Sequence, residues 1–379
     1  MKNIFILGGT GTIGRNALNV ISQNPDKLKL VGFSFHENIE EANRILNKFN
    51  PSYVYSTNLP SNPFPSSVIL IDSIDGLEDI FISDNIDIII CGISGFAGLE
   101  TTMTATKSGK RILVANKESI VAAGQILLDQ CNQYSSTLVP LDSEHNAIVQ
   151  CLPDNADISD VSHITITASG GPFIGYTLDE LKKVSYEDAI RHPNWSMGVK
   201  ISIDSATLVN KCLELIEASY LFKIPENQID VLVHPQSIVH SMVTYIDGST
   251  IAHMSNPSME IPIANAISDN RRLDIQFDKL FQSETILEFT KIPSYTNSIF
   301  NMAREAARSN DSLSTIFNAT NEVAVESFVR GLIPFDKIYP VIEGTLDKVN
   351  RSKITDIESI YNTDKEARIS AMEMIKSIS

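Results

Sequence analysis

The chain begins with a short apolar strand, a glycine-rich turn and an amphipathic helix, and this feature most constrains its fold. Ile4 to Leu7 predict the strand, Gly8 to Gly14 (GGTGTIG) the turn, and Ile13 to Gln23 the helix. Such an arrangement places backbone N–H groups and a helix N-terminus against a pyrophosphate. The spacing is G-x-x-G-x-x-G, so a purely structural tight turn is the alternative. The feature predicts a parallel sheet that binds a dinucleotide.

The rest of the chain changes character twice. The first 130 residues alternate β-branched runs with helical stretches, as βαβ units do. Spacing then becomes irregular, and the last segments carry apolar residues at the helical period. We predict an α/β protein with an N-terminal Rossmann-like parallel sheet, a central α+β catalytic domain and a C-terminal helical bundle. The predicted ranges are 1–132, 133–269 with a flexible loop at about 185–199, a linker at 270–293, and 294–379.

Composition and charge narrow the function classes. The chain has 379 residues, of which 43% are hydrophobic, so wholesale disorder is excluded. Its 30 Lys and Arg against 46 Asp and Glu leave a charge of −16, which makes nucleic acid an unexpected partner. Four dispersed cysteines without a CxxC pair fit a reduced compartment. No apolar run approaches ~20 residues, so we expect a cytoplasmic protein without a membrane partner.

Two carboxylates follow the apolar run at 137–141. Asp142 and Glu144 are two residues apart, and in an extended segment both side chains would project to one face. Carboxylate oxygens suit a hard divalent cation such as Mg²⁺ or Mn²⁺. The same pattern also describes a solvated strand end, so a metal site needs a third carboxylate.

The segment DSATLVNKCLELIE predicts a helix with Asp204 or Ser205 as its N-cap. Asn210 and Lys211 lie four and three residues before Glu214, so the three side chains share one face. A solvated ion pair on an ordinary helix is one interpretation of this face. The functional interpretation places Ser205, Asn210 and Lys211 around a phosphate and Glu214 on the metal.

Two loops add candidate ligand contacts. Ser169 opens the turn SGGPF, whose hydroxyl and amide groups suit a phosphate unless the turn is a plain strand end. The stretch RHPNWSMG at 191–198 has an unusual composition for a core helix. It predicts a mobile lid that lays Trp195 over a ligand while His192 reaches the substrate. A buried tryptophan in a static loop is the alternative.

The end of the second predicted strand bears on the cofactor. An acidic residue there favours NAD and a cation favours NADP. Here Ser34, His36 and Asn38 are potential donors to a 2′-phosphate, whereas Glu37 would oppose one. The sequence at this point leaves the choice open.

Eight segments along the chain carry a family resemblance. They are GGTGTIG at 8–14, ANKES at 115–119, PLDSEHNAI at 140–148, TASGGPF at 167–173, HPNWSMG at 192–198, IDSATLVNKCLE at 203–214, HPQSIVHSMV at 234–243 and NATNEVAVESF at 318–328. Together they resemble the 1-deoxy-D-xylulose 5-phosphate reductoisomerase family over nearly the whole chain. Gly9 replaces a common serine of that family. Glu37 stands where many members carry Lys or Arg, which weakens the expected preference for NADPH over NADH.

The resemblance implies a metal-dependent, NADPH-linked rearrangement and reduction of 1-deoxy-D-xylulose 5-phosphate to 2-C-methyl-D-erythritol 4-phosphate, in non-mevalonate isoprenoid precursor biosynthesis. It implies NADPH, Mg²⁺ or Mn²⁺ with Co²⁺ as a further candidate, a phosphorylated sugar substrate, and a homodimer. The implied metal ligands are Asp142, Glu144 and Glu214. The implied cofactor contacts are Thr10, Gly11, Thr12, Ile13, Asn38, Asn116, Glu118 and Gly198. The implied substrate contacts are Lys117, Ser143, Glu144, Ser169, His192, Trp195, Met197, Ser205, Asn210, Lys211 and Glu214.

The resemblance also implies roles in the reaction. The implied catalytic groups are Lys117, Glu144, His192 and Glu214, with Lys117 beside both substrate and nicotinamide. His240 is a second histidine near the site with a supporting role. Neither resemblance nor spacing assigns the general acid or base.

Two other functions stay open at the level of sequence. One is a different Rossmann oxidoreductase, such as a semialdehyde or sugar-phosphate dehydrogenase, most of which need no metal. The other is an NADP(H)-sensing protein that has lost its chemistry. Loss of a metal carboxylate or of Lys211 would favour the sensor, and the chain retains all of them.

Overall fold

The computed structural model describes residues 1–58, 63–153, 157–195, 197–268, 271–282 and 284–378. Ser196 of the predicted loop, residues 269 and 270 at the predicted linker boundary, and Ser379 lie outside the described residues. The chain divides into two compact units. The first comprises Met1–Ser119, Leu127–Asn146 and Ser258–Asp278, and the second comprises Ile120–Ile126, Ala147–Pro257 and Lys279–Ser379.

The first unit contains, in its described part, a seven-stranded parallel sheet. Its strands are β1 (Lys2–Leu7), β2 (Leu28–Ser34), β3 (Tyr53–Tyr55), β4 (Ile69–Ile71), β5 (Ile88–Cys91), β6 (Arg111–Val114) and β7 (Thr137–Pro140). The strand order is β4-β3-β2-β1-β5-β6-β7, and every neighbouring pair is parallel. The connection order reverses between β1 and β5, and α/β sheets bind ligands at the carboxyl ends of strands beside such a point.

Helices cover this sheet because its central strands are apolar on both faces. In β1, Ile4, Phe5, Ile6 and Leu7 have no exposed surface, as expected of a buried parallel strand. The helices are α1 (Thr12–Gln23), α2 (Ile39–Phe49), α3 (Ile74–Ile82), α4 (Leu99–Thr106), α5 (Lys117–Tyr134), α6 (Ser143–Cys151) and α11 (Glu260–Ser268). Both α5 and α6 also contribute residues to the second unit. The predicted Rossmann-like sheet is confirmed.

The second unit combines a mixed sheet with helices. Its strands, in the part described, are β8 (Val161–Ala168), β9 (Ile229–Val233), β10 (Val239–Tyr245), β11 (Thr250–Met254) and β12 (Thr290–Lys291), in the order β11-β10-β8-β9-β12. Its further helices are α7 (Leu178–Leu181), α8 (Tyr186–Ala189), α9 (Val199–Ala206), α10 (Val209–Phe222), α12 (Asn297–Arg308), α13 (Leu313–Val329), α14 (Ile338–Leu346) and α15 (Ile357–Ile378).

The helices after residue 293 pack around α13. Most of α13 is buried, including Phe317 and the polar side chains Asn318 and Asn321. A helix that is apolar nearly all round belongs inside a bundle. The α+β centre and the C-terminal helical bundle are thus confirmed. Within the described ranges, we find no helix with both the length and the apolar character to cross a bilayer.

The predicted start of a helix at Asp204 or Ser205 is wrong. Two helices are present, α9 and α10, and between them Leu208 adopts a left-handed conformation with φ of 58°. Asp204 is therefore an interior residue of α9, fully buried, rather than an N-cap. Its carboxylate is held within the fold by Lys200 Nζ at 2.7 Å and by Asn321 Nδ2 at 2.9 Å.

Candidate functional site

The glycine-rich turn brings bare backbone to the start of α1. Gly8 has φ of +81°, and a Cβ there would lie 2.9 Å from the carbonyl oxygen of Gly92. A side chain at Gly14 would overlap the carbonyl oxygens of Gly8 and Gly9. Gly11 is the N-cap of α1 and supplies no side-chain acceptor. The first N–H groups of this 12-residue helix therefore face the turn, where they suit an anion.

The end of β2 supports this turn. The N–H of Gly8 donates to Ser34 Oγ at 2.7 Å, so Ser34 holds the turn in place. Asn38 caps α2, with its Oδ1 accepting from the N–H of Glu41 at 3.0 Å. The side chains of His36 and Glu37 are 73% and 84% exposed, and they approach each other to 3.6 Å. The Glu37 carboxylate thus lies in solvent beside an imidazole.

Asn116 orders the beginning of α5. Its Oδ1 accepts from the N–H of Ser119 at 2.9 Å, and its Nδ2 donates to the carbonyls of Ile93 at 2.6 Å and Gly95 at 2.9 Å. These bonds tie the loop after β5 to the start of α5. The next two residues, Lys117 and Glu118, are 4% and 3% exposed. Buried charges at a helix start require specific partners.

Asp142 is the partner of Lys117. Lys117 Nζ lies 2.6 Å from Asp142 Oδ2. The predicted extended conformation around Asp142 and Glu144 is wrong, because α6 begins at Ser143. Asp142 directly precedes this helix, and its Oδ1 accepts from the N–H of Glu144 at 3.3 Å. Ser143 Oγ donates to Glu144 Oε2 at 2.5 Å. Helix-start preference explains the difference, because carboxylates are stabilised at a helix N-terminus.

In the second unit, α10 presents the predicted face of three polar side chains. Asn210 Nδ2 donates to Glu214 Oε1, and Lys211 Nζ lies 2.7 Å from Glu214 Oε2. Glu214 is fully buried and Lys211 is 5% exposed. The prediction that these side chains share a face is confirmed, and the alternative of a solvated ion pair is wrong. Asp142 and Glu144 belong to the first unit, whereas Glu214 belongs to the second.

Ser169 and His192 meet beside this helix face. Ser169 Oγ lies 2.8 Å from His192 Nε2 and accepts from the N–H of Gly171 at 3.2 Å. His192 Nδ1 accepts from the N–H groups of Asn194 and Trp195, at 3.2 and 3.0 Å. Nδ1 therefore carries no proton, and Nε2–H donates to Ser169. Burial and, secondly, the charge of Lys211 lower the pKa of His192 to about 4.

The loop after His192 rests on the turn before β10. Asn194 Nδ2 donates to the carbonyl of Pro235 at 2.6 Å and to Ser237 Oγ at 3.1 Å. The Trp195 ring is half-buried and packs edge-on against His240 at a centroid distance of 6.1 Å. Gly198 is the N-cap of α9, and the half-buried Met197 precedes it. Whether this segment acts as a lid stays a prediction.

Ser205 lies inside α9, close to the turn that follows Ser169. Gly171 has φ of +65°, and a Cβ there would lie 2.8 Å from the carbonyl oxygen of Ser205. The two serines are thus presented by two segments in backbone contact. Asp204 and Asn321 support this part of α9, and sequence reasoning considered Asp204 only as an N-cap and missed Asn321. The signal was an Asn at the centre of an apolar helical stretch, which is costly unless it is hydrogen-bonded.

Three family models cover most of the chain. The model described as 1-deoxy-D-xylulose 5-phosphate reductoisomerase matches residues 4–124. The model of that enzyme's C-terminal domain matches 138–222, and a DXP reductoisomerase C-terminal domain model matches 254–370.

Curated relatives and solved structures agree with these models. A 1-deoxy-D-xylulose 5-phosphate reductoisomerase of Acinetobacter baumannii is 43% identical, covering 100% of this chain and 99% of the relative. That of Nitrosomonas eutropha is 39% identical over 99% of this chain and 94% of the relative.

A crystal structure of DOX-P reductoisomerase with NADPH, fosmidomycin and magnesium has a TM-score of 0.91 and 34% identity, covering 100% of this chain and 99% of its own. One from Zymomonas mobilis with NADPH has a TM-score of 0.88 and 34% identity, covering 99% of each chain. The chain therefore belongs to the 1-deoxy-D-xylulose 5-phosphate reductoisomerase family.

Proposed function

We propose that this protein converts 1-deoxy-D-xylulose 5-phosphate to 2-C-methyl-D-erythritol 4-phosphate, using NADPH and a divalent cation, in isoprenoid precursor biosynthesis. The observation that carries the proposal is the family match along the whole chain at 43% identity. Reductoisomerase structures with TM-scores of 0.91 and 0.88 contain NADPH, and the first also contains magnesium. A metal-free dehydrogenase and an inactive sensor are the alternatives that the experiment below tests.

NADPH binds at the glycine-rich turn. The bare backbone of Gly8 and Gly11 and the N-terminus of α1 suit its pyrophosphate. The Glu37 carboxylate is exposed beside His36, where solvent screens its repulsion of the 2′-phosphate of NADPH. The proposed contacts are Thr10, Gly11, Thr12, Ile13, Asn38, Asn116, Glu118 and Gly198.

Asp142, Glu144 and Glu214 are the proposed ligands of Mg²⁺ or Mn²⁺, with Co²⁺ as a further candidate. All three offer carboxylate oxygens, the donors that hard divalent cations prefer. Each is held by a neighbour: Asp142 by Lys117, Glu144 by Ser143, and Glu214 by Lys211. When bound, the cation supplies a Lewis acid for the carbonyl and hydroxyl oxygens of the substrate.

Ser169, Ser205, Asn210 and Lys211 are the proposed contacts of the substrate phosphate. Lys211 supplies charge, and His192 stays neutral and holds Ser169 through Nε2–H. The phosphate does not react, so its binding energy is available to order the loop that carries Trp195 and Met197 and to exclude water. Lys117 and His192 are the candidates for proton transfer or for stabilising charge.

The test follows NADPH absorbance with 1-deoxy-D-xylulose 5-phosphate, with and without a chelator. Substrate-dependent oxidation that the chelator abolishes is expected. Glu214→Gln should reduce turnover by at least ~100-fold, about 2.7 kcal/mol in barrier height, because one cation ligand loses its charge. Glu326→Gln is the control, since Glu326 is a half-exposed residue paired with Arg330 on the surface. NADPH oxidation that the chelator does not reduce, or near-normal turnover of Glu214→Gln, contradicts the metal-dependent mechanism.

We also propose that the protein is a cytoplasmic homodimer. All four cysteines are free and buried, which suits a reducing compartment. In the described part of the second unit, β11 is an edge strand that pairs with β10 alone, and its Ile251 and Met254 are 46% and 45% exposed. An exposed apolar edge strand favours pairing with another strand, and two-fold symmetry is the commonest form of assembly.

A further inference from the structure

We propose that Lys211, with Asn210, couples binding of the substrate phosphate to binding of the divalent cation at Glu214. Phosphate and the cation strengthen each other's binding, because without phosphate Lys211 and Asn210 occupy the Glu214 carboxylate that the cation needs. The inference rests on the proposed function, from which it takes a phosphate at Lys211 and a cation at Glu214.

The first step is the double engagement of Glu214. One carboxylate oxygen accepts from Asn210 Nδ2, and the other lies 2.7 Å from Lys211 Nζ. The Lys211 and Glu214 side chains are 6% and 1% exposed. Both donors stand one helical turn before Glu214 on α10, so the group is part of a rigid element. The two donors proposed for the phosphate are therefore the same groups that hold the proposed metal ligand.

The second step is electrostatic. A cation on Glu214 shares its carboxylate with the Lys211 ammonium, in surroundings with little access to water. Like charges repel more strongly there than in bulk solvent. Separating the buried ammonium from Glu214 without a new acceptor costs free energy. The field of Lys211 also reaches His192, whose pKa it helps to lower.

The third step is the exchange of partners. A phosphate dianion offers Lys211 and Asn210 new acceptors, with charge-assisted hydrogen bonds of the strong kind. Glu214 is then released from these two donors, and the Lys211 charge is neutralised. Coupling of two ligands is reciprocal, so the cation must strengthen phosphate binding by the same factor. The protein would hold its cation tightly when the substrate is present and weakly when it is absent.

Mn²⁺ binding tests the coupling without turnover. The full-length protein, without NADPH or sugar substrate, is titrated with Mn²⁺, and the electron paramagnetic resonance signal reports free Mn²⁺. In the wild type, saturating inorganic phosphate should lower the apparent Kd for Mn²⁺ about five-fold or more, the lower end of typical coupling. Lys211→Met should tighten phosphate-free Mn²⁺ binding by about the same factor and abolish the effect of phosphate. A titration without protein corrects for complexes of Mn²⁺ with phosphate.

Lys200→Met is the matched control. Lys200 also pairs with a buried carboxylate, Asp204, at 2.7 Å in the same unit, but neither residue belongs to the proposed cation or phosphate set. This variant should leave both the Mn²⁺ affinity and the phosphate effect unchanged. Lys211→Arg is a second control, which separates loss of the charge from a general effect of substitution at this position. It retains the charge and should retain weak phosphate-free Mn²⁺ binding. Thermal unfolding by circular dichroism establishes that each variant is folded.

Two results overturn the coupling. One is a wild-type Mn²⁺ affinity that phosphate does not change, and the other is a folded Lys211→Met variant whose phosphate-free affinity is no tighter than wild type. If either occurs while the wild type still oxidises NADPH in a chelator-sensitive manner, the proposed function stands and the coupling alone fails. If the wild type neither binds Mn²⁺ nor turns over substrate, the proposed function fails with it.

Discussion

At the scale of single residues, His192 owes its tautomer to the fold of its own loop and its lowered pKa to burial and to Lys211. The motif HPNWSMG suggested that this histidine reaches the substrate, and the structure pairs it with Ser169. Its tautomer follows from two backbone N–H groups that only the folded loop brings to Nδ1. Its lowered pKa depends on burial and on Lys211, which no local pattern contains. The sequence thus identified His192 as a site residue, whereas its tautomer and its pKa could be derived only from the tertiary structure.

We expect His192 to stay neutral from pH 8 down to pH 5, because its pKa is lowered from 6.5 to about 4. Long-range ¹H–¹⁵N spectra should show an unprotonated Nδ1 throughout. The unfolded chain takes up this proton first, so the free energy of unfolding should fall as pH falls from 6.5 to 4. Lys211→Met should raise the titration midpoint of His192 only part of the way toward 6.5, because burial is the larger cause of its lowered pKa. A wild-type midpoint near 6.5 would contradict this assignment.

At the scale of secondary-structure elements, the main error of the sequence-based prediction was to miss the break between α9 and α10. Neither glycine nor proline marks it, and the left-handed residue is Leu208, with φ of 58°. The hydroxyl of Tyr339, 132 residues further along, donates to the Thr207 carbonyl at the break. Apolar period and capping preference describe local sequence, so they cannot anticipate a helix end that a distant side chain stabilises. By contrast, the strand, turn and helix at the N-terminus were predictable because their signals are local.

The link from α9 to α13 gives a prediction for stability. Asp204 is fully buried and accepts from Asn321 Nδ2 at 2.9 Å and Lys200 Nζ at 2.7 Å. Asp204→Ala removes the acceptor of the Asn321 amide and of the Lys200 ammonium, so the free energy of unfolding from urea titration should fall by about 3 kcal/mol. Asp179→Ala is the control, since Asp179 pairs with Lys182 in solvent and its loss should not move the urea midpoint. Equal midpoints for both variants would show that Asp204 does not anchor α9.

At the scale of the whole molecule, the chain leaves the first unit and later returns to it. Residues 258–278 belong with the N-terminal sheet, where Glu260 accepts from Asn19 at 3.2 Å and from Gln23 at 3.0 Å. Arg111 Nε donates to the carbonyl of Ala266 at 2.9 Å in the same unit. Composition and periodicity give the order of segments along the chain. They do not indicate which unit a later segment joins, because these contacts span more than 150 residues.

The exposed edge strands of the two sheets are candidate surfaces for assembly of the dimer. Both β4 and β11 are edge strands, and both expose an isoleucine: Ile69 is 56% exposed and Ile251 is 46% exposed. If β11 forms the dimer interface, Ile251→Lys places a charge at the pairing edge and should reduce the mass measured by light scattering to the 41.8 kDa of one chain. Ile69→Lys makes the same change on the other sheet and should leave the dimer intact. A dimer that survives Ile251→Lys but dissociates with Ile69→Lys would assign the interface to the nucleotide-binding unit instead.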